Sequence, residues 1–373
     1  NLLAVEVPYG IYLATTKPIV KENPPDIDTT GSGLAIEFDF IIDLPIFAFN
    51  SNGQNQDTGE PLPDNLEELG VKAPPSEVFG PDCAIFSPPR EGIAGGGPLV
   101  VIIDSGVDTS IANRPLFRPF AEAELNLCES FMVGPFGYDF LNGDAQPADD
   151  LGHGTGVAGA LLSTYPSGKE LRLQHYKFVG PKGGTYFGAI CAMHTAVAAE
   201  ASLLNLSWGI RTDTLPNALA LALQACEEAN IIVVTSAGND SLDITTAPNW
   251  PASASSTFSN IVAVGAYDYV PSTDDPERMA FSNFGAAAVE LVAPFGLEVP
   301  KLGGGLHEQV GTSISAPQLT AHLAAVRESN PDISLEDALD VLRNDGLLRR
   351  AATLNGAEVN NQQYLELNCK LSL

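Results

Sequence analysis

The sequence predicts an α/β protein built on a mostly parallel central sheet, preceded by a Pro-rich, partly β N-terminal extension. Three observations predict it. From residue 99 onward, short runs of Val, Ile and Leu alternate with helix-forming stretches. Those runs are apolar on both faces, as strands buried in a parallel sheet are. The first 95 residues have another texture and hold 12 of the 28 prolines.

The elements follow in order. Within residues 1–95 the one strong strand signal is "LAIEFDFIIDLPIFAF", which alternates early; "SNGQNQDTGEPLPDN" reads as loop, and helical periodicity is weak apart from "DNLEELG" near 64–70. "REGIAGGGP" (90–98) reads as a hinge, so the chain divides into an extension, accessory module or pro-segment over 1–95 and a main domain over 96–373. Strands are expected at 99–104, 171–180, 203–208, 231–236, 260–266 and 289–294. Helices are expected at 153–163, 188–200, 215–229, 315–328 and 334–343; Leu319, Leu323 and Val326 share one helix face. Alternating β and α elements imply right-handed crossovers onto a parallel sheet, whose ligands bind outside the carboxyl ends of the strands.

Composition narrows the function. The chain has 373 residues, of which 45% are hydrophobic, enough for a sizeable core. No stretch reaches the roughly 18 consecutive apolar residues of a membrane span. "NLLAVEVPYG" lacks a basic region and a long apolar run, so it is not read as a signal peptide. Forty-six acids against 18 bases give a formal charge of −28, which argues against nucleic acid and anionic lipid as partners. The five cysteines form no CxxC pair and no zinc spacing; Cys191 and Cys226 lie in apolar helical patterns and are expected as buried free thiols.

Four places carry chemistry. "LVVIIDSG" puts Asp104 at the carboxyl end of a strand, where a partly desolvated carboxylate needs a donor or cation; its ordinary reading is an Asx turn. "DLGHGTGVAGALLS" sets His153 among small residues at a helix start, either a satisfied core histidine or a base. "GTSISAPQLTAHL" places Ser313 at a loop-to-helix junction, where it is an N-cap or a nucleophile beside the positive helix end. "VVTSAGND" puts Asn239 after a buried strand, as a turn residue or an oxyanion donor. Together they supply acid, imidazole, hydroxyl and amide donor, the inventory of acyl transfer.

With Asp-Ser-Gly, Gly-His-Gly-Thr and Gly-Thr-Ser in that order, the chain resembles the subtilisin family of serine peptidases over roughly 99–345. "LNLSWG", "SAGND", "NWPAS", "NIVAVGA", "FSNFG" and "VAPFG" add to the resemblance. It implies a three-layer fold and an endopeptidase acting through an acyl-enzyme. Ser313 would be nucleophile, His153 general base and Asp104 its orienting acid, with Asn239 and the Ser313 N–H holding the oxyanion. It further implies an extended substrate on the edges Gly183, Gly184, Thr185 and Ser207, Trp208, Gly209, with Trp208 either pocket wall or core. Ser236, Ala237 and Gly238 would line the first specificity pocket. An imidazole base of ordinary basicity would lose activity below about pH 6.

The chain departs from the family pattern at Gly156, Ile314 and Ser315, none of which removes a catalytic group. No cofactor is expected for catalysis and no metal ligands are assigned. The acids Asp139, Asp144, Asp149 and Asp150 form either a structural calcium loop, as the family often has, or a solvated acidic loop. His175, His194, His307 and His322 read as structural. The partner expected is a protein or peptide, and the location extracellular. Two further readings remain open: a silent peptidase fold that binds peptides, and a transacylase or macrocyclase on the same fold.

Overall fold

The computed structural model describes residues 97–109, 136–166, 171–270 and 275–366, and the strand residues 2–7, 10–15, 35–36, 41–42, 47–48, 124–126 and 130–132. Among the described residues, five strands precede the main domain: Leu2–Val7 (β1), Gly10–Thr15 (β2), Ala35–Ile36 (β3), Ile41–Ile42 (β4) and Phe47–Ala48 (β5). Of the long strand expected around 34–49, the described residues are β3, β4 and β5. They pair with three different partners: β3 with β2, β4 with a strand at 183–185, and β5 with one at 306–310. The expected helix near 64–70 lies outside the described residues.

Leu99–Asp104 (β6) is followed by Glu124–Asn126 (β7), Ser130–Met132 (β8), Gly137–Asp139 (β9), Arg172–Lys177 (β10), Val179–Gly180 (β11) and Gly183–Thr185 (β12). Leu203–Leu206 (β13), Ile232–Ser236 (β14), Ile261–Val270 (β15), Asp275–Arg278 (β16) and Val289–Pro294 (β17) come next. The last strands are Gly296–Pro300 (β18), Leu306–Val310 (β19), Leu348–Arg350 (β20) and Gln363–Leu365 (β21). The helices are His153–Thr164 (α1), Tyr186–Ala198 (α2), Asn217–Glu228 (α3), Thr312–Ser329 (α4) and Leu335–Asn344 (α5).

The central sheet runs β20-β21-β17-β15-β14-β13-β6-β10-β9, with β16 paired to β15. Every pairing from β21 to β9 is parallel; β20 and β16 add antiparallel edges. Strand β6 shows why the sheet is covered on both sides. Leu99, Val101 and Ile103 join α2 and α3 in one core, while Val100 and Ile102 join α1, α4 and α5 in another. Side chains alternate across a strand, so a run apolar at every position demands helices on both faces. Beside the sheet, β18 and β19 form an antiparallel hairpin that ends at Gly311, immediately before α4.

One expectation about the cysteines is corrected. Cys226 is a free buried thiol, its pKa pushed up to about 12 by burial. Cys191 is disulfide-bonded instead. Its apolar helical setting predicted burial correctly but carried no information about a partner distant in sequence. No helix among the described residues is long and apolar enough to cross a membrane.

Candidate active site

Strand β6 delivers Asp104 to the carboxyl edge of the sheet and α1 begins with His153 beside it. His153 Nδ1 lies 2.8 Å from Asp104 Oδ1 and 3.1 Å from Oδ2. Both residues are 1% exposed, so the pair is sheltered from water. The glycines around His153 make the approach feasible. Gly152 has φ +92°, and a Cβ on Gly154 would lie 2.3 Å from the Gly106 carbonyl oxygen and 3.2 Å from Asp104 Oδ1.

The junction is clamped by Asp149, four residues before His153. Its Oδ1 accepts from Ser105 Oγ at 2.9 Å, Leu151 N at 3.0 Å and Gly152 N at 2.8 Å. Its Oδ2 accepts from Thr155 N at 2.9 Å and Thr155 Oγ1 at 2.6 Å. Ser105 Oγ in turn accepts from Gly154 N at 2.8 Å. One carboxylate thus ties the end of β6 to the first turn of α1. Its place in an acidic run gave it the look of a calcium or solvent-facing residue. Its distance from His153 was the available signal.

A lysine enters the acidic loop. The Lys177 ammonium donates to the Ala148 carbonyl at 2.7 Å and to Asp150 Oδ1 at 2.9 Å, and sits 3.7 Å from Asp139 Oδ2. Asp139 also accepts from Leu141 N, Asn142 N and Asn142 Nδ2. A buried lysine occupies the position among these oxygens that a hard cation would need. Among the described residues, no group of three or more His, Cys, Asp or Glu is placed to hold a metal.

Ser313 is the second residue of α4 and only 4% exposed. Its carbonyl accepts from Ser207 Oγ at 2.9 Å, and Ser207 Oγ accepts from Asn205 Nδ2 at 2.9 Å. Asn205 Oδ1 accepts from Thr320 Oγ1 at 2.8 Å, so β13 grips the helix at two levels. Asn239 Oδ1 accepts from both Thr312 N (2.9 Å) and Thr312 Oγ1 (3.0 Å). That pairing assigns the amide orientation and turns Nδ2 the other way. Asn239 Nδ2 and Ser313 Oγ both fall close to one point, 3.2 and 3.4 Å from the place of an absent Gly311 Cβ. The structure therefore joins Asp104 to His153, and Asn239 to the start of α4. Helices α1 and α4 pack against each other, with Ala160 and Ile314 meeting Val299 in one cluster.

The departures from the family pattern are filled locally. A Cβ on Gly156 would lie 1.7 Å from Gln309 Oε1, so that side chain occupies the space. Ile314 is wholly buried, and Ser315 Oγ donates to the Pro294 carbonyl at 2.9 Å.

The candidate substrate residues behave differently. Gly183–Thr185 form the middle strand of a small sheet, between Val179–Gly180 and Ile41–Ile42, and Thr185 caps α2 by accepting from Gly188 N at 3.0 Å. The Ser207 side chain is taken by its bond to Ser313. Trp208 is 1% exposed and packs on Phe178 with ring centroids 5.2 Å apart, which decides for core rather than pocket wall. A Cβ on Gly209 would lie 2.5 Å from Asn249 Oδ1, so that side of Gly209 is filled by a carboxamide. Ser236 ends β14, with buried Ala237 and then Gly238, whose N–H donates to Thr312 Oγ1 at 3.1 Å. Asn249 Nδ2 and Asn283 Nδ2 both donate to the Ala237 carbonyl at 2.9 Å. The "NWPAS" and "FSNFG" motifs thus hold this segment in place, a job their sequences did not reveal.

Fold and site together define a parallel α/β protein with a buried acid–imidazole pair at the carboxyl edge of its sheet. Within that class, the chain belongs to the subtilase family, whose signature (Peptidase_S8) spans residues 95–364. It is 32% identical over 216 residues to a subtilisin-like protease of Coccidioides posadasii, covering 55% of this chain and 50% of that protein. It is 26% identical over 286 residues to Subtilisin Savinase of Lederbergia lenta, covering 74% and 92%. The chain spans about half the length of the curated fungal relatives it matches. In three dimensions it is similar to a lanthipeptide protease at TM-score 0.56 and 20% identity, over 74% of this chain and 86% of that one.

Proposed function

We propose that the protein is a serine endopeptidase that hydrolyses peptide bonds through Asp104, His153 and Ser313. The observation that carries this reading is the buried bond between His153 Nδ1 and Asp104, at the sheet edge where α4 presents Ser313. Asp104 fixes the tautomer that leaves Nε2 as proton acceptor and stabilises the imidazolium that forms. Ser313 Oγ attacks the scissile carbonyl as His153 takes its proton; the same proton then goes to the leaving amine. Asn239 Nδ2 and the Ser313 N–H stabilise the oxyanion at the positive end of α4. Water, activated by His153, releases the acyl-enzyme.

The substrate is a protein or peptide bound extended along Gly183–Thr185, with Ser236, Ala237 and Gly238 facing its first specificity side chain. No metal takes part in the chemistry, and Lys177 serves the acidic loop in place of calcium. The disulfide at Cys191 supports an extracellular location, since such bonds persist in oxidising compartments. Residues 1–95 form an extension to the peptidase domain at 96–373.

Casein hydrolysis followed by mass spectrometry tests the reading. Cleaved peptides, abolished in Ser313→Ala, are expected. Peptide binding without cleavage would assign a silent fold, and ligated products would assign a transacylase.

A further inference from the structure

The turn after β14 carries Asn239, and one buried carboxamide grips it from the side away from α4. Asn283 is wholly buried and lies between β16 and β17. Its Oδ1 accepts from Asp240 N at 3.0 Å and from Leu242 N at 2.9 Å. Its Nδ2 donates to the Ala237 carbonyl at 2.9 Å, and its own N–H donates to the Gly238 carbonyl at 2.9 Å. These backbone partners assign the amide orientation. All four bonds go to backbone groups that bracket Asn239, two before it and two after. The fit is close: Gly238 has φ +103°, and a Cβ there would lie 2.4 Å from Asn283 Nδ2. Asn283 is itself anchored. Ser282 Oγ donates to the Asn283 carbonyl at 3.0 Å and accepts from Ala266 N at 3.0 Å, which ties the loop to β15. Arg278 Nη1 donates to the Met279 and Ser282 carbonyls at 2.9 and 2.7 Å, while its Nε bonds Glu358 Oε2 at 2.7 Å.

Helix α4 holds the other side of the turn. Thr312 N and Oγ1 donate to Asn239 Oδ1, and Thr312 Oγ1 accepts from Gly238 N. Thr312 thus sets the orientation of the Asn239 side chain, while Asn283 sets where the backbone carries it. An oxyanion donor works only within about 2.7–3.1 Å of the place where charge develops. A shift of the turn by a fraction of an ångström is therefore felt in the rate. We propose that Asn283 is a positioning residue for the oxyanion donor Asn239, acting on the transition state through the backbone of residues 237–242. The kinetic consequence rests on the peptidase reading; the grip on the turn does not. Removing the carboxamide leaves the Asp240 and Leu242 N–H groups without their acceptor. Asn249 Nδ2 still donates to the Ala237 carbonyl, so the start of the turn stays attached while the part beyond Asn239 is released.

The test combines Asn283→Ala, and the milder Asn283→Ser, with Asn239→Ala in double-mutant cycles on the full chain. Three quantities are measured: amide hydrogen exchange, kcat and KM on a chromogenic peptide, and active sites titrated with a fluorophosphonate. In Asn283→Ala, exchange at Asp240 and Leu242 is expected to rise by about tenfold or more, while Leu203–Leu206 keeps its protection. Its kcat per titrated site falls by about 10- to 100-fold, with KM changed by less than about twofold. Asn239→Ala alone costs about 10²–10³ in kcat, as loss of one oxyanion donor does. Adding Asn283→Ala to it lowers kcat by less than about threefold more, because no donor is left to position. Losses that multiply in full in the double variant overturn the proposal, as does unchanged exchange at Asp240 and Leu242. A lower titratable fraction with unchanged kcat per site also overturns it, because Asn283 would then serve folding alone. If Asn283→Ala does not fold, Asn283→Ser runs the same cycle. If the parent does not react with the fluorophosphonate, the peptidase reading fails by itself, and the exchange rates still decide whether Asn283 holds the turn.

Discussion

Asp149 receives five hydrogen bonds from groups on both sides of the Asp104–His153 junction, and so controls their approach without being the acid of the pair. Replacing it with Ala leaves Ser105, Thr155 and two loop amides in search of acceptors. Asp149→Ala is expected to lower kcat by about 10- to 100-fold, as sub-ångström misplacement of catalytic groups does. It is also expected to cost about 2–4 kcal/mol of stability in urea unfolding. Asp149→Asn, which keeps the shape and one acceptor oxygen, should recover part of both; equal loss in the two variants would mean that only charge matters. The places of Asp104, His153, Ser313 and Asn239, at or just after a strand end or at a helix start, were legible because each sits in a short motif. Asp149, Asn249 and Asn283 were not, because their roles are set by partners up to 46 positions away. The neighbours of Trp208 and Gly209 were not legible for the same reason: Phe178 packs beside the one and Asn249 beside the other.

Helix α1 starts hard against the end of β6, and its small residues make that contact. A side chain at position 154 meets the Gly106 carbonyl at 2.3 Å. Backbone cannot yield as a flexible side chain can, so Gly154→Ala is expected to separate His153 from Asp104. Folded Gly154→Ala protein should lose catalysis by more than 100-fold with little change in KM; near-normal kcat would show that the junction tolerates expansion. Strands β6, β10, β13, β14, β15 and β17 and the five helices among the described residues were legible because apolar runs and 3.6-residue periodicity report burial directly. The β18–β19 hairpin was missed, and the 34–49 stretch was read as one strand. Strands β3, β4 and β5 pair with three different partners, so main-chain bonding, not side-chain pattern, sets their places.

Across the molecule, three histidines are buried away from the candidate pair, and burial sets the acid limit of the fold. It pulls His175 down to about 3 and His322 down to about 4, and lowers His194 as well. These folded values lie below the ordinary 6.5, so the unfolded chain binds the extra protons. Their contribution to stability is complete above pH 6.5 and is lost as pH falls toward the folded values. Each ring adds up to about 1.4 kcal/mol per pH unit to that loss. Urea unfolding between pH 6 and 4.5 is expected to show a shallower decline for His322→Gln than for the parent, by about 1 kcal/mol per pH unit; identical slopes would mean that His322 stays neutral in both states. The family was legible from the order Asp, His, Ser and the motifs between them, and the match over residues 95–364 establishes it. The central claim is that this scaffold makes one serine uniquely nucleophilic. Fluorophosphonate labelling followed by peptide mapping tests it most directly. A single adduct on Ser313, absent in His153→Ala and blocked by unfolding, is the predicted result. A folded protein with no adduct on Ser313 would contradict it.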